Sequence, residues 1–162
     1  MYGATHMATY DNPRKQFIGR LTQTSRALRT YFDAELRAVG LTLARGRLLL
    51  HLLQARHPVG QSELADVLEV EHPTVVRQLD ALEQMGLIER QSLPGDRRAK
   101  TVVLTAEGRR AAENVTRLTD RISDRLLDGI DTKELALAEQ LLARIGDNVE
   151  RLSAAPAMAV SP

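Results

Sequence analysis

The chain has 162 residues, 43% of them hydrophobic, with 22 basic against 21 acidic side chains and no cysteine. That length accommodates one domain with a real core, and the missing cysteine excludes disulfides, zinc ribbons and thiol redox chemistry. A formal net charge of +1 neither demands nor excludes a nucleic-acid partner, so the placement of the cations has to decide.

Ten glycines and six prolines leave most of the chain free to be helical, and aromatics at 3% leave an aliphatic core. No apolar run approaches the roughly 18 residues that a membrane span needs, and no signal-peptide pattern opens the chain. A cytoplasmic protein without a membrane partner is expected. Residues 1–12 read as an appended tag or disordered segment, since YGATH between Met1 and Met7 has no fold-forming pattern. Residues 13–152 read as a single domain.

From about Arg14 to Val39, apolar residues at Phe17, Leu21, Leu28, Phe32, Leu36 and Val39 recur at helical spacing, predicting a long amphipathic helix. From Ala44 to Ala55, leucines at 48, 49, 50, 52 and 53 cover nearly every face, predicting a mostly buried helix closed by Pro58 and Gly60. Two short helices follow in tandem, Ser62 to Leu68 and Pro73 to Met85. Pro73 suits a first helical turn, and Gly86 is placed to end the second helix in a left-handed cap. The pair reads as a helix-turn-helix.

After Gly86, Leu87 and Ile88, then a polar PGDRRAK stretch, then Thr101 to Leu104 predict two short strands with a turn at Pro94 and Gly95. Thr105 can cap a fifth helix that ends near Gly129. Asp131 and Glu134 form a capping box for a sixth helix that runs to Leu152, antiparallel to the fifth. The tail from Ser153 reads as disordered. The expected class is mainly α: a winged helix-turn-helix with a small β-hairpin wing over about 41–105, flanked by long terminal helices at about 14–38 and 106–152. Those terminal stripes extend beyond what the central segment can cover, so a second copy is the simplest cover, with an intramolecular bundle as the alternative.

Several side chains at the tandem helices have the chemistry of DNA recognition. Arg77 offers a bidentate fork to guanine, Gln78 can pair with adenine, and Thr74 can reach a phosphate or a thymine methyl. His72 and Pro73 stand at the same helix start, and Ser62 at the start of the helix before it. The wing carries Asp96, Arg97, Arg98 and Lys100, cations on a turn where a narrow minor groove receives arginine. Asp96 is suited to hold a wing arginine in pose by a charge-assisted hydrogen bond. Each such residue alone is more often a solvated surface position than a base contact; their shared location on a tandem pair and its wing argues for DNA.

The segments SELADVL, HPTVVRQLDALEQMGLIERQ and GDRRAKTVVLT resemble the MarR family of bacterial winged-helix regulators, and within it the SlyA-like branch. The last segment fits the family's wing pattern at Asp96, Arg98, Leu104 and Thr105, and the resemblance runs from about Arg20 to Leu152. It implies a homodimer joined by the terminal helices, with Arg77 in a major groove and Arg98 in the flanking minor groove of double-stranded DNA. It also implies a small aromatic carboxylate or phenol as effector. Arg26 and Arg29 match pocket positions, while Gly46 and Leu50 stand where SlyA-like proteins place a tryptophan and a histidine.

No catalytic constellation appears: there is no cysteine nucleophile and no Gly-rich phosphate loop, and His6, His51, His57 and His72 lack ligand spacing. An enzyme, a cofactor and a metal site are therefore not expected. The rival reading is a winged helix that binds protein, or a heterodimerising antagonist of another regulator; paired arginines at the wing tip argue against it.

Overall fold

The computed structural model describes residues 12–93 and 96–154, apart from the side chains of 92–99. The elements are α1 (Pro13–Arg37), α2 (Leu43–Gln54), β1 (Val59–Gly60), α3 (Gln61–Leu68), α4 (His72–Gln84), β2 (Ile88–Leu93), β3 (Asp96–Leu104), α5 (Ala106–Leu126) and α6 (Thr132–Ala154). Every expected helix forms, with ends shifted by up to three residues; Asn12, expected in the leading segment, caps α1, and Ser153 and Ala154, expected in the tail, continue α6. Residues 1–11, the Pro94–Gly95 turn and residues 155–162 of the tail lie outside the described residues. The described chain divides into two compact units, one ending at Ile122 and one beginning at Ser123.

In the first unit, Asn12 caps α1 by accepting the Arg14 N–H at 2.9 Å. Asp33 ties α1 to α2: one carboxylate oxygen accepts the Leu43 N–H at 2.8 Å, and the other accepts the Arg37 Nε–H at 2.7 Å. Those two hydrogen bonds, the Leu43 amide's first, hold the Asp33 carboxyl below the usual carboxylate range, because both favour its charged form.

The core is one aliphatic cluster. It takes Leu36 from α1, Leu48 and Leu49 from α2, Leu64 and Leu68 from α3, Val75, Leu79 and Leu82 from α4, Ile88 and Val102 from the sheet, and Val115 from α5. Each such side chain stabilises the fold by roughly 1.5–3 kcal/mol relative to exposure. The helical spacing in the sequence thus finds its physical reason: α3 and α4 each bury one stripe and turn the other face outward.

The sheet is antiparallel in the order β1-β3-β2, with Val59 opposite Val102 and Ile88 opposite Leu104. The wing is therefore three-stranded where the sequence predicted a two-stranded hairpin. Strand β1 has only two residues, too few for a period of two to register, and Pro58 just before it and Gly60 within it read as helix stops. Both functions hold, since the proline precedes the pairing residues and needs no ladder hydrogen bond.

Three helices end alike. After α4, Gly86 takes a left-handed conformation at φ 69°, with the Gly86 N–H on Glu83 O and the Leu87 N–H on Leu82 O. Gly40 repeats the arrangement after α1 at φ 80°. After α3 the left-handed residue is Glu69, at φ 55°. The start of α5 is then hooked back onto the end of α4: Thr105 Oγ1 donates to Gly86 O at 2.7 Å and accepts the Gly108 N–H at 2.9 Å.

In the second unit, α6 opens on the expected capping box. The Asp131 N–H donates to Glu134 Oε2 at 3.1 Å, and Asp131 Oδ1 accepts the Lys133 N–H at 2.7 Å. No residue of α6 is buried; Leu137 and Leu152 are 66% and 73% exposed. In the other unit α1 buries only Leu36, leaving Phe17, Ile18 and Leu28 exposed.

Candidate nucleic-acid interface

Helix α4 presents a buried face and an outward one. Val75, Leu79 and Leu82 are fully buried, while Pro73 and Arg77 are exposed and Thr74 is half-buried on the other side. Arg77 makes no hydrogen bond or ion pair among the described residues, which leaves its five guanidinium N–H donors available. Gln78 is half-buried, deeper than the fully outward position its spacing predicts, and its buried Oε1 has no hydrogen-bond partner. Ser62 is exposed in the first turn of α3, and His72 in the first turn of α4.

Helix capping distinguishes this pair. A side chain caps α1 (Asn12), α2 (Thr42), α5 (Thr105) and α6 (Asp131). Among the described residues, α3 and α4 have no side-chain cap: Gly60 stands before α3 and Glu71 before α4. In α4, Pro73 has no N–H and the Thr74 and Val75 N–H groups donate to Glu71 O at 2.9 and 3.4 Å, so the His72 N–H is the first-turn donor of that helix without a hydrogen bond among the described residues.

The wing's Asp96, Arg97 and Arg98 lie at the start of β3, but their side chains fall outside the described residues. Lys100 is exposed on β3, paired in register with Ser92.

The residues matched to an effector pocket differ in burial. Gly46 is buried, and a Cβ there would meet Leu36 Cδ1 at 3.1 Å and Val115 Cγ1 at 3.6 Å, so Leu36 already fills that space. Leu50 is half-buried, and Arg26 and Arg29 are exposed on α1, with Arg29 Nη2 3.8 Å from Glu69 Oε2. Two grooves are lined by other residues: one of about 460 Å³ by Arg56, His57, Thr101 and Arg109 among others, and one of about 270 Å³ by Leu41, Ala111, Leu118 and Arg121 among others.

Sequence reasoning missed two polar clusters. His51 Nε2 stands 2.7 Å and His57 Nε2 3.9 Å from the same Glu63 oxygen, although six residues of sequence had set those histidines apart. Among the described residues, no group of three metal-ligating side chains could hold an ion. Arg90 on β2 grips Asp80 and Glu83 of α4, and nothing in its local sequence marks it out. No helix among the described residues is long and apolar enough to cross a membrane.

Residues 41–100 match the MarR family. The solved transcriptional regulator PA3341 is 41% identical, over 83% of this chain and 98% of its own, with a TM-score of 0.75. A structure of MarR is 28% identical over 92% of this chain and 98% of its own, at a TM-score of 0.71. The MepR–DNA complex of S. aureus is 25% identical over 84% of this chain and 97% of its own, at 0.70.

Proposed function

The chain belongs to the MarR family of transcriptional regulators, and from that premise we propose that it acts as a homodimer on double-stranded DNA, reading a pseudo-palindromic operator. Helix α4 enters a major groove with Arg77 as its base-reading side chain, supported by Thr74, Gln78, His72 and Pro73. Ser62 at the start of α3 and the His72 N–H at the start of α4 meet phosphates. The wing, with Arg97, Arg98 and Lys100, follows the adjacent minor groove, and Asp96 poses one of its arginines.

The observation that carries the reading is the outward face of α4: an exposed arginine with no hydrogen-bond or ion-pair partner among the described residues, on a helix without a side-chain cap. The exposed apolar residues of α1 and α6 favour a second copy as the dimer partner. Within the family the wing and helix motifs favour the SlyA-like branch. A dimer seated on a promoter palindrome blocks access to it, so we read the protein as a cytoplasmic repressor. Its effector is a small aromatic carboxylate or phenol whose acid group pairs with Arg26 and Arg29; Leu36 closes the space at Gly46 and limits the pocket on that side.

Selection of duplexes from a random pool tests this. The purified chain enriches a palindrome, and its affinity for that duplex falls by about a thousandfold or more between roughly 50 and 200 mM salt as phosphate contacts release counterions. Failure to enrich any duplex, or binding indifferent to salt, would contradict the reading and bring forward a protein-binding winged helix or a heterodimerising antagonist.

A further inference from the structure

Helix α4, the element assigned to base reading, carries two carboxylates beside its arginine. Val76, Asp80 and Glu83, spaced four and three apart, share one flank of the helix. Asp80 lies three residues beyond Arg77, the spacing at which helical side chains pair. Left alone, Asp80 would draw the Arg77 guanidinium along the helix, and both carboxylates would repel a phosphate backbone. The structure shows neither carboxylate left alone.

Arg90, on the adjoining strand β2, reaches across to this flank. Its Nη1 donates to Glu83 Oε2 at 2.6 Å, and its Nη2 donates to Asp80 Oδ1 at 2.7 Å and more weakly to Val76 O at 3.4 Å. The Arg90 side chain is only 16% exposed, against 49% for Asp80 and 41% for Glu83. Its Nε is buried without a partner, so the guanidinium's outer two nitrogens make all of its hydrogen bonds. An arginine fork is suited to this task, because one rigid group meets two acids and a carbonyl at once, where a lysine ammonium would hold one acid well.

We propose that Arg90 is a positioning residue for DNA recognition: by occupying Asp80 and Glu83 it keeps Arg77 free to read a base and ties the recognition helix to the wing. This rests on the DNA-binding reading above and deepens it. A residue that only held the fold together would lower stability and all binding alike. A residue that frees Arg77 affects the distinction between a specific and a random duplex.

The test uses the full-length chain, the duplex enriched by the wild type, and a scrambled duplex of equal length. Arg90→Gln is expected to weaken binding to the enriched duplex by about 10- to 100-fold, the discrimination carried by one bidentate base contact, with a much smaller change on the scrambled one. Adding Asp80→Asn and Glu83→Gln to Arg90→Gln restores most of the lost preference, and Arg90→Lys gives an intermediate loss. If the triple variant melts like the wild type yet binds as poorly as Arg90→Gln, charge occupation is not the cause and the proposal falls. Should Arg90→Gln not fold, the double variant Asp80→Asn/Glu83→Gln with Arg90 retained decides: an unchanged preference supports the proposal, and a sharpened one overturns it. A wild-type chain that enriches no duplex would instead remove the DNA-binding reading itself, and this proposal with it.

Discussion

Glu69 occupies a backbone position that glycine fills at the ends of α1 and α4. The two neighbouring turns take Gly40 and Gly86 at φ 80° and 69°, while the turn between α3 and α4 holds a glutamate at φ 55°. A left-handed non-glycine residue is strained by about 1–2 kcal/mol. Its two ion pairs, to Arg29 at 3.8 Å and Arg47 at 3.9 Å, are long and solvent-exposed, so each contributes roughly 0–1 kcal/mol. Glu69→Gly removes the strain and adds unfolded-chain entropy of about 0.5–1 kcal/mol, so a net gain of roughly 0.5 kcal/mol is expected. Thermal melts check this through a Tm rise of about 1–2 °C. A fall in Tm would show that the arginines hold the turn more strongly than their distances indicate.

The residues that sequence analysis located were those whose chemistry is local. Gly86 as a left-handed cap, Asp131 with Glu134 as a capping box and Thr105 as a cap each depend on partners within a few residues. Arg90 depends on carboxylates seven and ten positions away across a helix-to-strand junction, and no spacing rule joins them. His51 and His57 likewise converge on Glu63 only because the chain turns at β1.

Elements followed the same division. The apolar spacing of α1 to α6 was legible because a helix buries one stripe, and the core takes that stripe from each of the first five helices. Strand β1 was not legible, since its two residues pair only after Val102 and Thr101 have been brought alongside. Gly108 was not legible either. It sits in the first turn of α5, where a helix former would be preferred by about 1 kcal/mol on propensity alone. In the structure a Cβ there would stand 1.7 Å from the Leu87 carbonyl oxygen and 2.7 Å from its carbon. That carbonyl also accepts the Thr105 N–H at 3.1 Å, so it cannot swing aside without loosening the start of α5. Gly108→Ala is therefore expected to destabilise the chain by about 3 kcal/mol, at the upper end of core overpacking, and lower Tm by roughly 6–12 °C. The two arguments predict opposite signs, and an unchanged or raised Tm would mean that the close approach of α5 to Leu87 relaxes freely.

For the molecule as a whole, the outward faces decide the function. The helix-turn-helix leaves Arg77, Ser62 and His72 exposed, and a single copy offers one such face. Apolar residues of α1 and of α6 are exposed in the single chain, and the two-fold pair proposed above would cover them and double the DNA contacts. The apolar stripes themselves were legible in the sequence; the second copy inferred from them stands as part of the proposal. The wing's contribution through Arg97 and Arg98 was read from sequence and stands as part of the proposal. The measurement that bears most directly on the account is the native mass of the complex formed with the enriched duplex. The account predicts two chains on each palindrome and none bound singly at moderate concentration; one chain per duplex, or no complex at any salt, would contradict it.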